Sequence, residues 1–363
     1  MTPLAAKLAA IIRAEGPMTV ADYMAACLGD PEHGYYRIQV PFGVEGDFVT
    51  APEVSQIFGE LIGAWCVAAW EAMGAPARFI LVELGPGRGT LMADLLRAAH
   101  IRPNFQLAAE LHLVETSPLL RDLQARTLRS MRATPTWHDS LATVPDDRPL
   151  LLVANEFFDA LPVHQYVPTK DGYAERMVGL DRDGQLAFGL KPLAAPPAGL
   201  PDADRLSGAE GAVAECSPTA QAIATAIGAR IAANGGAALI IDYGYKGPAF
   251  GDTLQAVQQH AFAPPLAEPG EADVTAHVDF AALARAAEAA GAKAKPLLSQ
   301  GGFLRALGLA ARAERLAAGK DDARRGAIAA AVERLAGPDA MGSLFKVLCL
   351  TAPGLSLAPF DSA

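Results

Sequence analysis

The sequence predicts an α/β fold, with a mostly parallel sheet and helices on both faces. Three observations predict it. From Arg78 onward, short apolar runs alternate with helix-patterned segments. The stretch FILVELGPGRGTLMADLLRA (79–98) drives one such run straight into Gly85, Gly87 and Gly89 and out into a helix. Ser117-Pro118 and Ser217-Pro218 each set an N-cap residue before a proline at the first helical position.

The elements follow in order. Residues 1–76 read as a helical and lid segment, with Leu4, Leu8, Ile11 and Ile12 at helical spacing. Thr50, Pro52 and Glu53 have the pattern of a capping box, Thr50 as N-cap and Glu53 at the third helical position. Residues 77–165 hold the first part of the core. Strands are expected at 79–84, 111–115, 134–137 and 150–154, and helices at 90–99 and 118–131. Residues 166–215 are an insertion: a β-meander over 166–194, turning at Lys170-Asp171-Gly172 and Asp183-Gly184, then a Pro/Ala/Gly loop. Residues 216–363 complete the core. A helix is expected at 218–233, a strand at 237–242, a loop-rich stretch to about 275, helices at 280–290, 303–317 and 322–336, and a last strand at 343–351.

Composition narrows the function. The chain has 363 residues, 51% hydrophobic, and a net charge of −10. That charge argues against a general nucleic-acid binder, whose affinity rests on cations against phosphates. The four cysteines form no CxxC pair and the seven histidines do not cluster, so no metal site is expected. The apolar run Leu61–Trp70 lies between Glu60 and Glu71. It is far short of the roughly 20 residues a membrane span needs. The N-terminus carries an early Glu15 and no cleavage pattern, which reads as a surface helix in a soluble cytoplasmic protein.

The glycine turn carries the chemistry. Its spacing is G-x-G-x-G, and Thr90 stands where the dinucleotide fingerprint has its third glycine. No phosphate-binding G-x-x-x-x-G-K-[ST] is present. Glu83 ends the preceding strand, where an acid repels a pyrophosphate and attracts a cation. S-adenosylmethionine (SAM) is such a ligand, with an ammonium, a sulfonium and no phosphate. Glu115, at the end of the second strand, is placed to accept both ribose hydroxyls. Enzymes using NAD share that acid, so an NAD-dependent oxidoreductase is the rival, disfavoured by the glycine spacing and by Glu83.

Eight blocks extend the picture: EGDFVTAPEVSQIFGEL (45–61), ELGPGRGTLMADLL (83–96), HLVETSPLLRDLQ (112–124), NEFFDALPVHQ (155–165), IDYGY (241–245), GDTLQAVQQH (251–260), ADVTAHVDF (272–280) and MGSLFKVL (341–348). Together, and in this order, they resemble the MidA-like family of SAM-dependent methyltransferases, which serves mitochondrial complex I assembly and has many bacterial members. The resemblance implies a class I SAM-dependent methyltransferase fold: Rossmann-like, with a seven-stranded, mostly parallel sheet. It implies a protein arginine N-methyltransferase acting on a complex I subunit, with the quinone-side peripheral subunit as first candidate. The compartment would be the cytoplasm of a bacterium, or the mitochondrial matrix of a eukaryote, although no transit peptide is visible. Neither nucleic acid nor membrane insertion is expected. A small-molecule methyltransferase and a non-catalytic assembly factor are the alternatives.

Residue by residue, Glu83, Gly85, Gly87, Gly89, Thr90, Glu115 and Ser117 are the expected cofactor contacts, with Asp139 and Ser140 toward the adenine and Asn155 at the fourth strand. The loop after that strand, ANEFFDALP, is the natural place to meet an acceptor. A guanidinium is a planar cation and a poor nucleophile, so a carboxylate pair that binds it in fork geometry and takes its proton suits the task. Glu156 and Asp159 are assigned to that role, opposite the simpler reading that Asn155 and Asp159 make turn hydrogen bonds. His277 is a further catalytic candidate through the resemblance, while Asp279 reads as a helix N-cap. Asp47, Thr50, Pro52 and Glu53 are expected to cover the cofactor, and Phe157, Asp242 and Tyr243 to face the substrate.

Overall fold

The computed structural model describes residues 2–38, 50–131, 133–170, 172–195, 212–247 and 249–361. Its contacts divide the chain into two compact units, Met1–Phe48 with Asp159–Gln221 and Tyr245–Ala282, and Val49–Phe158 with Ala222–Gly244 and Leu283–Ala363.

The first unit joins the N-terminal helices to the inserted meander. The helix Pro3–Glu15 is capped by the Thr2 hydroxyl, and Val20–Gly29 by that of Thr19. Between them Met18 and Thr19 pair antiparallel with Val178 and Met177 of the meander. The meander has the three expected strands, His164–Thr169, Gly172–Leu180 and Leu186–Pro192. Leu4, Leu8 and Ile12 pack against Tyr23, Met24, Val178 and Val274. Ile11 departs from the expectation: it is 36% exposed, because the buried stripe runs through Leu4, Leu8 and Ile12 with Ala5 and Ala9. The stretch read as loop-rich contains a small sheet, Gln255–Gln258 between Ala261–Ala263 and Asp273–Thr275. Strands this short show too few alternations to be seen in sequence.

The second unit is the α/β core. A path of seven hydrogen-bonded strands runs Lys293–Ala294, Phe345–Thr351, Gly236–Tyr245, Leu150–Asn155, Phe79–Leu84, Ala109–Val114, Thr136–His138. The last five are mutually parallel, and Phe345–Thr351 runs antiparallel to Gly236–Tyr245. Alternate residues face one helical layer: Phe79 and Leu81, Leu111 and Leu113, Leu151 and Val153, Ala237, Leu239 and Ile241 all join one apolar cluster with Phe58, Ile62, Met92 and Leu95. The two helices that supply those side chains, Gln56–Ala72 and Thr90–Ala99, cross closely. A Cβ at Gly63 would lie 2.6 Å from the Leu95 carbonyl oxygen, so only glycine fits there. The single helix expected at 303–317 is two, Gln300–Ala306 and Leu309–Ala317, separated at Gly308, whose φ of 91° is left-handed. Among the described residues no helix is long and apolar enough to cross a membrane.

Candidate active site

Numbered along the chain, the five parallel strands stand in the order 5-4-1-2-3. The order reverses between Phe79–Leu84 and Leu150–Asn155, and open α/β sheets bind ligands beyond the strand ends at such a reversal. Both loops singled out in the sequence begin there: the glycine turn after Leu84 and the acceptor loop after Asn155.

The turn is built from left-handed glycines, Gly85 at φ 61°, Gly87 at 53° and Gly89 at 79°. Gly89 is the N-cap of the helix Thr90–Ala99. Phe157 packs on the turn, and a Cβ at Gly85 would lie 2.9 Å from its Cδ2 atom. Phe158 meets Phe157 edge-on, with ring centroids 5.4 Å apart.

The short helix Ala51–Val54 reaches both sides of the reversal. Glu53 accepts the Thr90 hydroxyl at 2.6 Å, and the Ala51 amide donates to Glu156 Oε1 at 3.0 Å. This corrects the capping box. Thr50 is the N-cap by backbone but makes no side-chain bond, and Glu53 is drawn away to Thr90. Pro52 is buried and Asp47 lies outside the described residues.

Glu115, one residue past its strand, is 9% exposed. Its Oε1 accepts the Ser117 amide at 2.8 Å and its Oε2 the Gln124 side-chain amide at 3.2 Å. Its carbonyl accepts Arg121 Nε at 2.7 Å. Burial pushes its carboxyl up, against those hydrogen bonds. Ser117 is fully buried and also caps the following helix. Asp139 is on the surface, 83% exposed by side chain, and is paired with Arg121 at 2.7 Å. Ser140 is exposed and opens a 3-10 turn without a side-chain bond. The Asp139 carboxylate is thus committed to Arg121, which the sequence reading did not single out.

Glu156 has φ 50°, a backbone state that non-glycine residues occupy where the surroundings enforce it. Its amide donates to the Ile241 carbonyl at 2.9 Å, and its Oε1 also accepts Asn155 Nδ2 at 3.0 Å. Asp242 and Tyr243 correct the expectation of a substrate face. Asp242 is fully buried and accepts the Phe158 and Tyr243 amides at 3.0 and 2.9 Å. Tyr243 continues the inward register of its strand, with its ring edge-on to Phe345. Asp242 holds the loop through the Phe158 amide. Asp242→Asn turns an amide group toward a buried N–H and is expected to cost on the order of 3 kcal/mol of stability. A thermal melt unchanged from the parent would contradict that role.

In the first unit, Asp159 is buried and its carbonyl accepts the Ala276 amide at 3.0 Å, which brings it beside the His277 segment. His277 is half-buried and its amide donates to the Thr253 hydroxyl at 2.8 Å. Asp279 caps its helix as expected, accepting the Ala282 amide at 3.0 Å. Tyr36 bonds both Asp273 carboxylate oxygens, at 3.1 and 3.2 Å. Burial, Asp273 and Asp159 push its hydroxyl well above the ordinary range. Among the described residues no group of His, Cys, Asp or Glu side chains is arranged to hold a metal ion.

Comparison with known proteins decides the class. Residues 61–297 match a family described as S-adenosyl-L-methionine-dependent methyltransferase. The chain is 38% identical to the mouse mitochondrial protein arginine methyltransferase NDUFAF7, over 96% of this chain and 84% of the relative. It is 38% identical to the Drosophila melanogaster homologue, over 99% and 86%. A solved structure of a COG1565 superfamily member from Burkholderia thailandensis, bound to S-adenosyl-homocysteine, superposes with a TM-score of 0.84 at 30% identity, covering 99% of this chain and 95% of that one. The chain belongs to this methyltransferase family.

The residues present in this methyltransferase fit its cofactor. Glu83 is 2% exposed and its Oε2 has no hydrogen-bond partner among the described residues; Asn155 Oδ1 is likewise buried and unpartnered. Two orphaned acceptors beside a glycine turn suit an ammonium donor. Burial pushes the Glu83 carboxyl up to about 8. Below that pH the folded chain holds a proton that an exposed carboxyl, at its ordinary 4.5, gives up. This contribution to stability therefore falls as pH rises toward about 8. A bound cation favours the ionised form, so affinity for S-adenosylhomocysteine is expected to rise from about pH 6 toward that value. Glu83→Gln should flatten the rise in titration calorimetry; an unaltered profile would remove Glu83 from the ammonium seat.

Proposed function

We propose that this chain transfers methyl groups from SAM to an arginine of a protein substrate. The observation that carries the acceptor side is Glu156: a carboxylate held in a left-handed backbone at the sheet's reversal point, beside the glycine turn's Phe157. The arginine specificity is supported by the names that the relatives carry.

Glu83 and Asn155 would hold the methionine ammonium, Glu115 the ribose hydroxyls, and the glycine turn would let the backbone approach closely. Once bound, the cofactor supplies an electrophilic methyl group on a sulfonium. The chain's task is then to orient an acceptor nitrogen in line and to exclude water. The Glu156 carboxylate orients the guanidinium and accepts the proton that the nitrogen sheds. Phe157 walls the turn. Asp159 and His277 are proposed as further catalytic residues, brought together within the first unit by the bond from the Ala276 amide to the Asp159 carbonyl. The short helix Ala51–Val54, tied to Thr90 and Glu156, covers the cofactor's crevice as a strap.

The acceptor we favour is the quinone-side peripheral subunit of respiratory complex I, met in the bacterial cytoplasm or the mitochondrial matrix. Radiolabelled methyl transfer from SAM into a lysate, followed by mass spectrometry of the labelled species, tests this. Methylarginine in that subunit is the expected result. Label confined to small molecules would place the acceptor elsewhere, and no label would make the chain a binding factor.

A further inference from the structure

We propose that Gln124 is the positioning residue for the cofactor's ribose: it locks Glu115 to the glycine turn and aims the carboxylate at the two hydroxyls. The inference rests on the reading of Glu115 as the ribose acceptor.

Gln124 lies in the helix Pro118–Leu128, on the inward stripe between Leu120 and Leu128. A glutamine in such a stripe is buried with its amide, here completely, and that amide needs partners. It has three. Its Nε2 donates to the Gly87 carbonyl at 2.9 Å and to Glu115 Oε2 at 3.2 Å, and its Oε1 accepts Trp137 Nε1 at 2.8 Å. The indole N–H only donates, so it fixes which end of the amide is oxygen and points both amide hydrogens toward the turn and the acid. One side chain thus joins the glycine turn, the ribose acid and the neighbouring strand's tryptophan.

The consequence for Glu115 follows from counting acceptor directions. A carboxylate offers about four. Ser117 takes one on Oε1 and Gln124 one on Oε2, and the Thr116 amide is a further donor, so three donors set the carboxylate's orientation and the remaining acceptor capacity faces a ligand hydroxyl. Arg121 holds the same residue by its main-chain carbonyl, so Glu115 is fixed from both ends. Gln124 also backs the turn, since a Cβ at Gly89 would lie 3.4 Å from its Cα.

The test measures binding of S-adenosylhomocysteine and its 2′-deoxyribose analogue to the full chain by calorimetry. The parent, Gln124→Met, Gln124→Glu, Glu115→Ala and the Gln124→Met/Glu115→Ala double variant are compared. Gln124→Met should weaken the ribose ligand by about tenfold and the deoxy ligand far less. It should add nothing to Glu115→Ala. Gln124→Glu, which sets a second carboxylate against Glu115, should lose more than Gln124→Met. The ratio between ligands within one preparation is insensitive to any loss of folded protein, and Gln124→Glu serves if Gln124→Met does not fold. Equal loss for both ligands, or additive losses in the double variant, would reduce Gln124 to packing and overturn the proposal. A Glu115→Ala chain that binds both ligands like the parent removes the Glu115 reading itself, and the proposal with it.

Discussion

A Gly85→Val chain is expected to fold and yet bind S-adenosylhomocysteine at least ~100-fold more weakly, the equivalent of about 2.8 kcal/mol. Gly85 has φ 61°, where a side chain is disfavoured by roughly 1–2 kcal/mol, more when it branches at Cβ. Its Cβ would also lie 2.9 Å from Phe157, which must then swing out. The added methyl groups occupy the space over the turn that a ligand needs. The remainder of the apolar cluster lies below the turn and is untouched, so the melt of the apo chain should move only modestly. Calorimetry and a thermal shift with added ligand read the two effects separately. Affinity within about threefold of the parent would mean that no ligand approaches the backbone at this turn.

Glu156→Gln is expected to lower methyl transfer by roughly 10²–10⁴-fold, the usual contribution of a positioned proton acceptor, with cofactor affinity nearly unchanged. The substitution is conservative in structure. A glutamine oxygen can still accept the Ala51 amide and the Asn155 amide, the bonds that Oε1 now makes. What it loses is the negative charge and the capacity to take a proton. Single-turnover rates on the protein substrate, with calorimetry alongside, distinguish this from misfolding. Near-normal turnover would pass the role to another group, for which Asp159 is the first candidate.

The sequence revealed most of the core, and with it the places of the glycine turn and of the acids at 83 and 115, for physical reasons. Parallel strands buried on both faces are nearly continuous apolar runs, so the runs at 79–84, 150–154 and 237–242 stand out, and they fall within Phe79–Leu84, Leu150–Asn155 and Gly236–Tyr245. A glycine turn and the acids at 83 and 115 are local in sequence, so their places at strand ends follow from the strands alone. What escaped was set by tertiary contact. Glu53 looked like a capping residue because its spacing from Thr50 is right, but Thr90 offered it a better partner. Asp242 looked like a substrate contact at a strand end, yet two backbone amides claim both its oxygens. Gln124 left one faint trace, a polar residue at the fourth-residue spacing between Leu120 and Leu128. Nothing in the sequence could announce that Gly87, Glu115 and Trp137 meet around it.

The most direct test is a crystal structure of this chain grown with S-adenosylhomocysteine. We predict density along Gly85–Gly89, with the ribose hydroxyls on Glu115 and the amino group on Glu83 and Asn155. A ligand ordered at some other place, leaving those acceptors bonded only to protein or solvent, would contradict the account.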